Sequence, residues 1–388
     1  MSARADVTPV DVVHLAKEIY GLTVTDLKEL PGFEDRNFLV SCEPSPPIHE
    51  DKQTVPDAQQ KTSGQYVIKI SGSRDKQDDS KLEKQRLIMN FLSCEHFICP
   101  KYVKTKSGSW FEWYDRGNGP MRVRMLTYVP GDTLMDHWEV LSARDTLTTL
   151  GEFVSKLHLV LERLTQSGDV QVDVDTLNPW RMDNFLCLKD FLDEIQDVKK
   201  RQTLSDILKR FQEEVLCKSD SLSSGIIHGD IHDMNIIIHV ENGKIRPIHQ
   251  PAKETDSDRV KNTFGIIDFG DVTFSKYVFE VSMVIRDAIV DVKSMDPIEI
   301  AGHFLGGYLK HRLLNCAELD VLFVCILVAL CQYGVLGEHE YKLQPDNEYT
   351  KLGAEDAWKH LEVLQKMDKL HVIKTWSTLL SSTYDLVL

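Results

Sequence analysis

The chain has 388 residues, more than one hydrophobic core usually serves, so two lobes are expected. Its 60 acidic and 45 basic residues give a formal net charge of −15, which argues against nucleic acid as a partner, because nucleic-acid binders present a basic surface. The N-terminal residues lack the apolar stretch of a signal peptide, and the most apolar run, 321–331, is shorter than the roughly 20 residues that cross a bilayer, so no membrane partner is expected.

The first third of the chain predicts a β-rich lobe. Apolar residues recur at helical spacing over 10–20 and 81–92, which predicts two helices. The stretch 43–64, rich in Pro, Gln, Asp and Ser, has little to bury and predicts a loop. β-branched and aromatic runs predict strands at 24–30, 37–42, 65–70 and 122–129, the last stopped by Pro130 and Gly131.

The rest of the chain predicts a helical lobe with one β-rich island. Helical patterns cover 141–164, 185–216 and the residues from 277 to the end, and 321–331 is expected to be a buried helix. Between them, 226–238 and 263–268 are rich in isoleucine and predict short strands. Strands followed by helices, rather than a regular alternation, indicate an α+β fold.

Eight cysteines are present, without a C-x-x-C pair or the paired clusters of a zinc site. Several lie in apolar runs, as Cys325 and Cys331 do, where a thiol behaves as a small apolar group. This usage predicts reduced core cysteines in a cytoplasmic protein.

The island carries the residues on which the functional prediction depends. Phosphoryl transfer needs a group that accepts the hydroxyl proton and oxygen ligands that hold Mg²⁺ against the phosphates; protein kinases supply them as the Asp of a His-x-Asp loop, an Asn five positions later and the Asp of Asp-Phe-Gly. Here Asp230 and Asn235 have that spacing, and Asp268 begins Asp-Phe-Gly. Their flanks, 236–238 and 265–267, are expected to pair as strands. The pattern predicts Asp230 as catalytic base, with Asn235 and Asp268 as metal ligands.

The neighbouring residues of the loop receive smaller roles. His228 is expected to be a structural member of the loop, because Asp230 already supplies the base. No role is assigned to His232 or Asp233. The polar insert 241–261, between Asn235 and Asp268, is absorbed as a hairpin loop at modest entropic cost.

The N-terminal lobe offers partners for a nucleotide. Lys69, in a predicted strand, corresponds to the strand lysine that contacts the α- and β-phosphates, and Glu83, in the next helix, is predicted to pair with it. The alternatives are an exposed lysine on an edge strand and a solvated helix glutamate.

A phosphate loop and a hinge are predicted on the same lobe. The segment 30–40 contains only Gly32 as glycine, but backbone N–H groups of such a turn, ending at Asn37, can cradle phosphate. Arg36 either adds charge there or faces solvent. Leu126 and Tyr128 lie where a hinge would hold the base through backbone groups, so base preference is left open.

The loop His-Gly-Asp-x-x-x-x-Asn, with Gly229 where protein kinases have Arg, resembles the aminoglycoside phosphotransferase and choline kinase-like family. The resemblance implies a two-lobed, protein-kinase-like fold. Residues 1–130 would form an antiparallel-sheet lobe that binds the nucleotide, and 131–388 a mainly helical lobe with the catalytic loop, metal site and acceptor pocket. It also implies Mg²⁺, GTP or ATP as phosphoryl donor, and a small-molecule acceptor.

Within that family, segments outside the kinase motif resemble the hydroxylysine kinases over nearly the whole chain. That resemblance implies transfer to the 5-hydroxyl of 5-hydroxy-L-lysine with GTP as donor, in the cytoplasm. The sequence departs from it in the long 43–64 loop and in Ile231-His232, where Leu-Asn is expected. The segments are 37–38, 67–70, 126–131, 183–185, 267–271, 277–281 and 358–361.

Such an acceptor carries two ammonium groups, so carboxylates are expected beside Asp230. Asp271 and Glu280 are the first candidates and Asp183 and Asp287 the weaker ones, the alternative for each being a surface or N-cap carboxylate. Trp180 and Trp358 would stack on an ammonium or, as is commoner, belong to the core.

Two other functions are left open. One is a kinase of the same fold that acts on choline, ethanolamine, homoserine, a sugar amine or an aminoglycoside. The other is a catalytically silent nucleotide-binding protein, against which the intact set of Lys69, Asp230, Asn235 and Asp268 argues.

Overall fold

The chain folds as two units in the structure, a computed structural model. The first unit comprises residues 1–90 and 99–130, and the second comprises 91–98 and 131–388. The predicted loop at 43–64 lies outside the described residues except at its two ends. The structure describes residues 5–32, 35–43, 64–71, 79–115, 117, 119–174, 176–248, 260–343 and 348–386.

The first unit is built on a five-stranded antiparallel sheet in the order β1-β2-β3-β5-β4. Alternating apolar residues such as Phe38, Ile68 and Val123 are fully buried on one face, and the opening helix packs against them. The sequence predicts four of these five strands. It does not predict the strand FEWYD at 111–115, which has no β-branched residue. The strands are β1 Val24–Leu30, β2 Arg36–Cys42, β3 Gln65–Ser71, β4 Phe111–Asp115 and β5 Pro120–Thr127.

Two helices accompany this sheet. The predicted opening helix is α1, Pro9–Leu15, which continues as a π-helical turn over Ala16–Tyr20. It begins after Thr8, whose side chain accepts the Asp11 N–H while the Asp11 carboxylate accepts the Thr8 N–H, a capping box. The second predicted helix is α2, Asp79–Cys94.

The second unit is mainly helical, as predicted. Helix α3 packs against α6, α6 against α9, and α7 against both α5 and α8. The predicted helical stretch 185–216 is less regular than expected, because a 3₁₀ segment, Met182–Glu194, precedes α4. The helices are α3 Ala143–Ser167, α4 Val198–Arg210, α5 Tyr277–Asp291, α6 Pro297–Tyr308, α7 Cys316–Leu343, α8 Glu348–Leu364 and α9 Lys369–Tyr384.

Helix α7 contains the most apolar run of the sequence. By length and composition it is long enough to cross a membrane, but 83% of its most apolar 18-residue window is buried inside the protein. The prediction of a buried helix at 321–331 is therefore confirmed.

Short strands of the second unit position the loop that carries Asp230 and Asn235. Strand β8 pairs with β6, β9 and β10, and β7 pairs with β11. Gly265 lies opposite Ile237 and Ile266 opposite Ile236, so the predicted pairing of these flanks is confirmed. The strands are β6 Asp132–Thr133, β7 Ser224–Ile227, β8 Ile236–Glu241, β9 Lys244–Arg246, β10 Gly265–Ile266 and β11 Thr273–Lys276.

The polar insert begins as a tight hairpin. Asn242 and Gly243 connect β8 to β9 with φ values of 54° and 69°, the left-handed conformation that a two-residue type I′ turn requires. The insert therefore turns back on β8 at once. Residues 249–259 of the insert lie outside the described part of the chain.

Candidate active site

Asp230 and Asn235 are in direct contact within the loop between β7 and β8. The Asn235 Nδ2 donates to the Asp230 Oδ2 at 2.9 Å and lies 3.0 Å from both the Asp230 carbonyl oxygen and the His232 Nε2. With its two amide protons directed to the carbonyl and carboxylate oxygens of Asp230, the Asn235 Oδ1 receives no hydrogen bond from the described residues. An amide oxygen and a neighbouring carboxylate are thus presented together.

Backbone hydrogen bonds place Asp268 beside Asp230 and Asn235. The Ile267 N–H donates to the Asn235 carbonyl at 3.0 Å, and the His228 Nε2–H donates to the Ile267 carbonyl at 3.1 Å. Asp268 follows directly, exposed and in the left-handed conformation with φ 60°. The structure therefore brings Asp230, Asn235 and Asp268 together, as the sequence predicts.

His228 connects the loop that carries Asp230 to the Asp-Phe-Gly segment. It is buried, which lowers its pKa and favours the neutral ring. Its Nδ1 then accepts the Asp230 N–H at 3.3 Å while Nε2–H donates to Ile267. The ring also lies edge-on to Phe269, with 4.8 Å between centroids. His228 thus holds the loop and the Asp-Phe-Gly segment in register.

His232, to which the sequence analysis assigned no role, faces Asp230. Its Nε2 lies 3.5 Å from the Asp230 Oδ2. Burial raises the pKa of Asp230, but the charge and hydrogen bond of His232 lower it by more, so this pKa lies below its ordinary value. Burial lowers the pKa of His232, but Asp230 outweighs this effect and raises it to about 9. The two form an ion pair at neutral pH, with Asp230 ionised.

Glu280 was predicted to contact the acceptor, and the structure corrects this prediction. Its side chain is 1% exposed; one oxygen accepts the Gly229 N–H at 2.5 Å and the other accepts the His158 Nε2–H at 2.7 Å. Burial raises the pKa of Glu280, but the His158 hydrogen bond and charge lower it by more. Glu280 is therefore buried on helix α5 and holds the loop that carries Asp230 through the Gly229 N–H.

Replacing Glu280 with Ala is expected to lower the free energy of unfolding by about 3–5 kcal/mol, because a buried N–H and a buried imidazole lose their partner. Glu280→Gln keeps an acceptor for Gly229 and should cost only about 1–2 kcal/mol. Urea denaturation followed by circular dichroism measures both. Glu355→Ala, at an exposed helix position, is the control. Equal stability of Glu280→Ala and the wild type would contradict this role.

The other predicted acceptor carboxylates have partners within the second unit. Asp271 accepts the Asn178 Nδ2–H at 3.0 Å, and its carbonyl accepts from Arg181, which also approaches Gly229 closely. The Ser275 hydroxyl donates to Asp183 at 2.5 Å. Both carboxylates therefore support the segment after the Asp-Phe-Gly.

The two tryptophans pack against neighbouring side chains. Trp358 is buried, with the Lys200 Nζ 5.2 Å from its ring centroid. The Trp180 ring meets Tyr333 edge-on, with 6.0 Å between centroids. These contacts agree with the commoner alternative, a place in the core.

In the first unit, Lys69 and Glu83 have different partners from those predicted. The Lys69 Nζ lies 3.9 Å from the Asp35 Oδ2, and Asp35 also binds Arg124 and Ser71. The Glu83 carboxylate, nearly half exposed, is held by Arg86 at 2.8 and 2.5 Å, one helical turn away. The predicted Lys69–Glu83 pair is thus replaced, because the local i, i+3 pairing takes the glutamate.

Side chains hold the described part of the predicted phosphate loop, 30–32 and 35–40; residues 33–34 lie outside the described part of the chain. Buried Asn37 donates from Nδ2 to the Pro31 carbonyl at 3.0 Å. Arg36 binds Glu29 through two hydrogen bonds of 2.8 Å and the Val7 carbonyl, so its charge is used within the β1–β2 hairpin. Asn37 therefore shapes the turn.

The predicted hinge residues lie at the end of β5. Leu126 is opposite Val67 in the sheet and forms a bridge with Tyr102. The Tyr128 N–H donates to the Gln65 carbonyl at 3.4 Å, just after the strand ends. Both residues are thus anchored through their backbones.

The donor set fits a magnesium ion. The described residues contain no group of three or more His, Cys, Asp or Glu side chains that could hold a metal. Asn235 and Asp268 instead offer one amide oxygen and one carboxylate. Mg²⁺ is typically held by such sparse oxygen ligands together with substrate phosphates. The orientation of the Asn235 amide, whose Nδ2 donates to Asp230 and whose oxygen therefore faces away from it, supports the fit.

Comparisons with known proteins agree with this geometry. Proteins named hydroxylysine kinase from Mus musculus and Xenopus laevis are similar to the chain. The first is 28% identical over 97% of this chain and 94% of its own length, and the second is 27% identical over 94% and 91%.

Solved structures share the fold. An amicoumacin kinase in complex with AMP-PNP and Ca²⁺ matches with a TM-score of 0.62 and 14% identity, over 94% of this chain and 97% of that one. A microcompartment-associated aminopropanol kinase matches with a TM-score of 0.58 and 16% identity, over 96% and 98%. The predicted kinase-like α+β fold is confirmed.

A sequence model described as "Phosphotransferase enzyme family" matches residues 31–247, more than half of the chain, including Lys69, Asp230 and Asn235. The match agrees with a loop that joins a carboxylate, an amide oxygen and the Asp-Phe-Gly aspartate. The chain thus belongs to the phosphotransferase enzyme family, as an enzyme that transfers phosphate from a nucleotide to a hydroxyl group of a small molecule.

Proposed function

We propose that this enzyme transfers the γ-phosphoryl group of GTP, or of ATP, to the 5-hydroxyl of 5-hydroxy-L-lysine. The chemistry is supported by the convergence of Asp230, Asn235 and Asp268. The acceptor is supported by the similarity to hydroxylysine kinases, which extends over 97% of the chain and 94% of the mouse protein. The observation that carries the proposal is the contact between the Asp230 carboxylate and the Asn235 amide, because it couples the base to a metal ligand.

In this proposal Asp230 accepts the acceptor hydroxyl proton as the oxygen attacks the γ-phosphorus. Its lowered pKa keeps it ionised at neutral pH, and the ion pair with His232 and the bond from Asn235 orient it. Asn235 and Asp268 would hold Mg²⁺, which neutralises charge on the phosphates when bound. Most of the rate enhancement would then come from positioning and electrostatics.

The first unit would bind the nucleotide. Lys69 is assigned to the donor phosphates, Asn37 to the shape of the phosphate loop, and Leu126 and Tyr128 to backbone contacts with the base. Glu83 has no place in this assignment, because its carboxylate binds Arg86. The second unit would carry the catalytic loop, the metal ligands and the acceptor pocket.

We place the enzyme in the cytoplasm, without nucleic acid or membrane as partner. All eight cysteines lie in the described residues, and each carries a thiol rather than a disulfide, as is usual in a reducing compartment. The net charge of −15 also disfavours binding to phosphate backbones.

The test is an acceptor panel measured with both nucleotides by release of nucleoside diphosphate. The panel comprises 5-hydroxy-L-lysine, choline, ethanolamine, homoserine and an aminoglycoside. We expect kcat/KM for 5-hydroxy-L-lysine to exceed the others by at least tenfold, about 1.4 kcal/mol in transition-state binding. Preference for another acceptor would reassign the substrate. Nucleotide binding without turnover of any acceptor would favour a silent nucleotide-binding protein.

A further inference from the structure

A small cavity lies beside the catalytic loop, within the second unit. It has room for about 10 Å³, the space of one water-sized group. Helix α5 and the loop after Asp230 supply most of its walls. Its chemically informative lining residues are Trp138, His232, Asp233, Asp287 and Asp291.

Asp233 brings an unsatisfied oxygen to this cavity. The residue is 6% exposed, and its Oδ2 accepts the Trp138 Nε1–H at 2.8 Å. The buried Oδ1 receives no hydrogen bond from the described residues, and the His232 Nδ1 lies 4.0 Å away. Leaving a buried carboxylate oxygen without a donor is costly, so a donor in the cavity would be strongly favoured.

The charges around the cavity do not balance. Both oxygens of Asp287 are bound by Arg286, at 2.9 and 2.7 Å, and His232 is paired with Asp230. Asp233 and Asp291 remain, and no described residue donates a hydrogen bond to Asp291. Two carboxyl groups beside a water-sized space favour a small cation that donates hydrogen bonds.

The pKa of Asp291 agrees with this imbalance. Burial, followed by the negative charges of Asp233 and Asp287, raises this pKa to about 8, so Asp291 is mostly protonated at neutral pH and would ionise when a cation binds beside it. The charge of the nearby Lys293 lowers this pKa only in part, and its amine is bound by Asp356 at 2.6 Å.

We propose that this cavity binds a primary ammonium group of the acceptor, held by Asp233 and Asp291, with Trp138 fixing the Asp233 carboxylate. The inference rests on the proposed function and names its acceptor subsite. Asp230 and Asp233 approach opposite nitrogens of the His232 ring, with 3.5 Å from the Asp230 Oδ2 to Nε2 and 4.0 Å from the Asp233 Oδ1 to Nδ1, so the proposed ammonium site and the reacting hydroxyl would lie within the span of a short carbon chain. The size of the cavity admits a primary ammonium and disfavours a trimethylammonium group such as that of choline.

The test measures binding of L-lysine, which has both ammonium groups but no 5-hydroxyl and so cannot be phosphorylated there. Isothermal titration calorimetry with saturating nucleotide compares the wild type with Asp233→Asn and Asp291→Asn. We expect each substitution to weaken L-lysine binding by about tenfold or more, because a charged partner of the ammonium is lost. Asp220→Asn, at an exposed position, is the matched control and should bind as the wild type does.

Two analogues identify the bound group. Norleucine lacks the side-chain ammonium, and 6-aminohexanoate lacks the α-ammonium. We expect one of them to bind the wild type and Asp233→Asn equally, because it lacks the group that occupies the cavity. If L-lysine and both analogues are all insensitive to both substitutions, the subsite is overturned. Absence of L-lysine binding to the wild type would also overturn it.

This result is separable from the proposed function. Turnover of 5-hydroxy-L-lysine together with substitution-insensitive lysine binding would leave the function standing and remove the subsite. Lysine binding that depends on Asp233 without any turnover of 5-hydroxy-L-lysine would support the subsite and remove the function. Circular dichroism melting of both variants establishes that they fold, since Asn keeps the shape of Asp and an acceptor for the Trp138 N–H.

Discussion

Replacing Asp230 with Asn is expected to lower kcat for phosphoryl transfer by two to four orders of magnitude, the usual contribution of a general base. The amide cannot accept the hydroxyl proton, but its oxygen can still receive the Asn235 Nδ2–H that now reaches the carboxylate at 2.9 Å. The loop should therefore keep its shape. KM for the nucleotide should change by less than about threefold, because Asp230 accepts the proton only in the transition state and does not contribute to nucleotide binding.

The measurement is steady-state kinetics with 5-hydroxy-L-lysine, together with the rise in melting temperature caused by nucleotide. If turnover is lost while nucleotide still raises the melting temperature as in the wild type, the variant is folded and the loss lies in the chemical step. His232→Gln is an informative companion: it removes the ion pair with Asp230 and should lower kcat by less than Asp230→Asn does. Full turnover by Asp230→Asn would remove Asp230 from the role of base.

Asp268→Asn is expected to lower kcat/KM by about three orders of magnitude, because a ligand charge worth several kcal/mol to the metal-bound phosphates is lost. Asn is the suitable replacement, since Asp268 has φ 60° and Asn is among the non-glycine residues that best tolerate the left-handed region. Backbone strain should therefore not contribute to the loss.

A readout independent of activity accompanies this prediction. Nucleotide is added with and without Mg²⁺, and the metal-dependent part of the rise in melting temperature should disappear in Asp268→Asn. Asp385→Asn is the matched control, because Asp385 is exposed and has φ 57°, but lies at the end of α9. Retention of the full metal-dependent shift by Asp268→Asn would contradict the assignment of Asp268 as a ligand.

Most of the secondary structure could be predicted from the sequence, because it follows from local patterns. The β-branched run before Lys69 and the isoleucines beside Asn235 predict strands that the structure confirms as β3 and β8. Strand β4 was not predicted because FEWYD mixes aromatic with acidic residues and has no β-branched residue; its pairing with β5 is what stabilises it. The 3₁₀ segment at 182–194 was read as an ordinary helix, because apolar spacing alone does not distinguish the two.

The contact partners of individual site residues were harder to predict from the sequence. The sequence places Glu280 a few residues after Asp271, in a segment that suggested an acceptor contact, but α5 turns its carboxylate inward to His158 and Gly229. Glu83 has the spacing to pair with Lys69, yet Arg86 lies one turn away and takes it. A signal existed for His232, because two residues after Asp230 in a tight loop a side chain easily returns to the same carboxylate.

By itself, the sequence determined which residues we propose for the chemistry: Asp230, Asn235 and Asp268 follow from residue type and spacing, since a proton acceptor and hard oxygen ligands have few substitutes. Only the tertiary structure decided which charges meet. Asp233 and Asp291 are 58 positions apart in the chain, and their shared cavity arises because helix α5 packs beside the catalytic loop. Local periodicity reports which face of an element is buried, whereas the partner of a buried charge depends on long-range packing that no short pattern encodes.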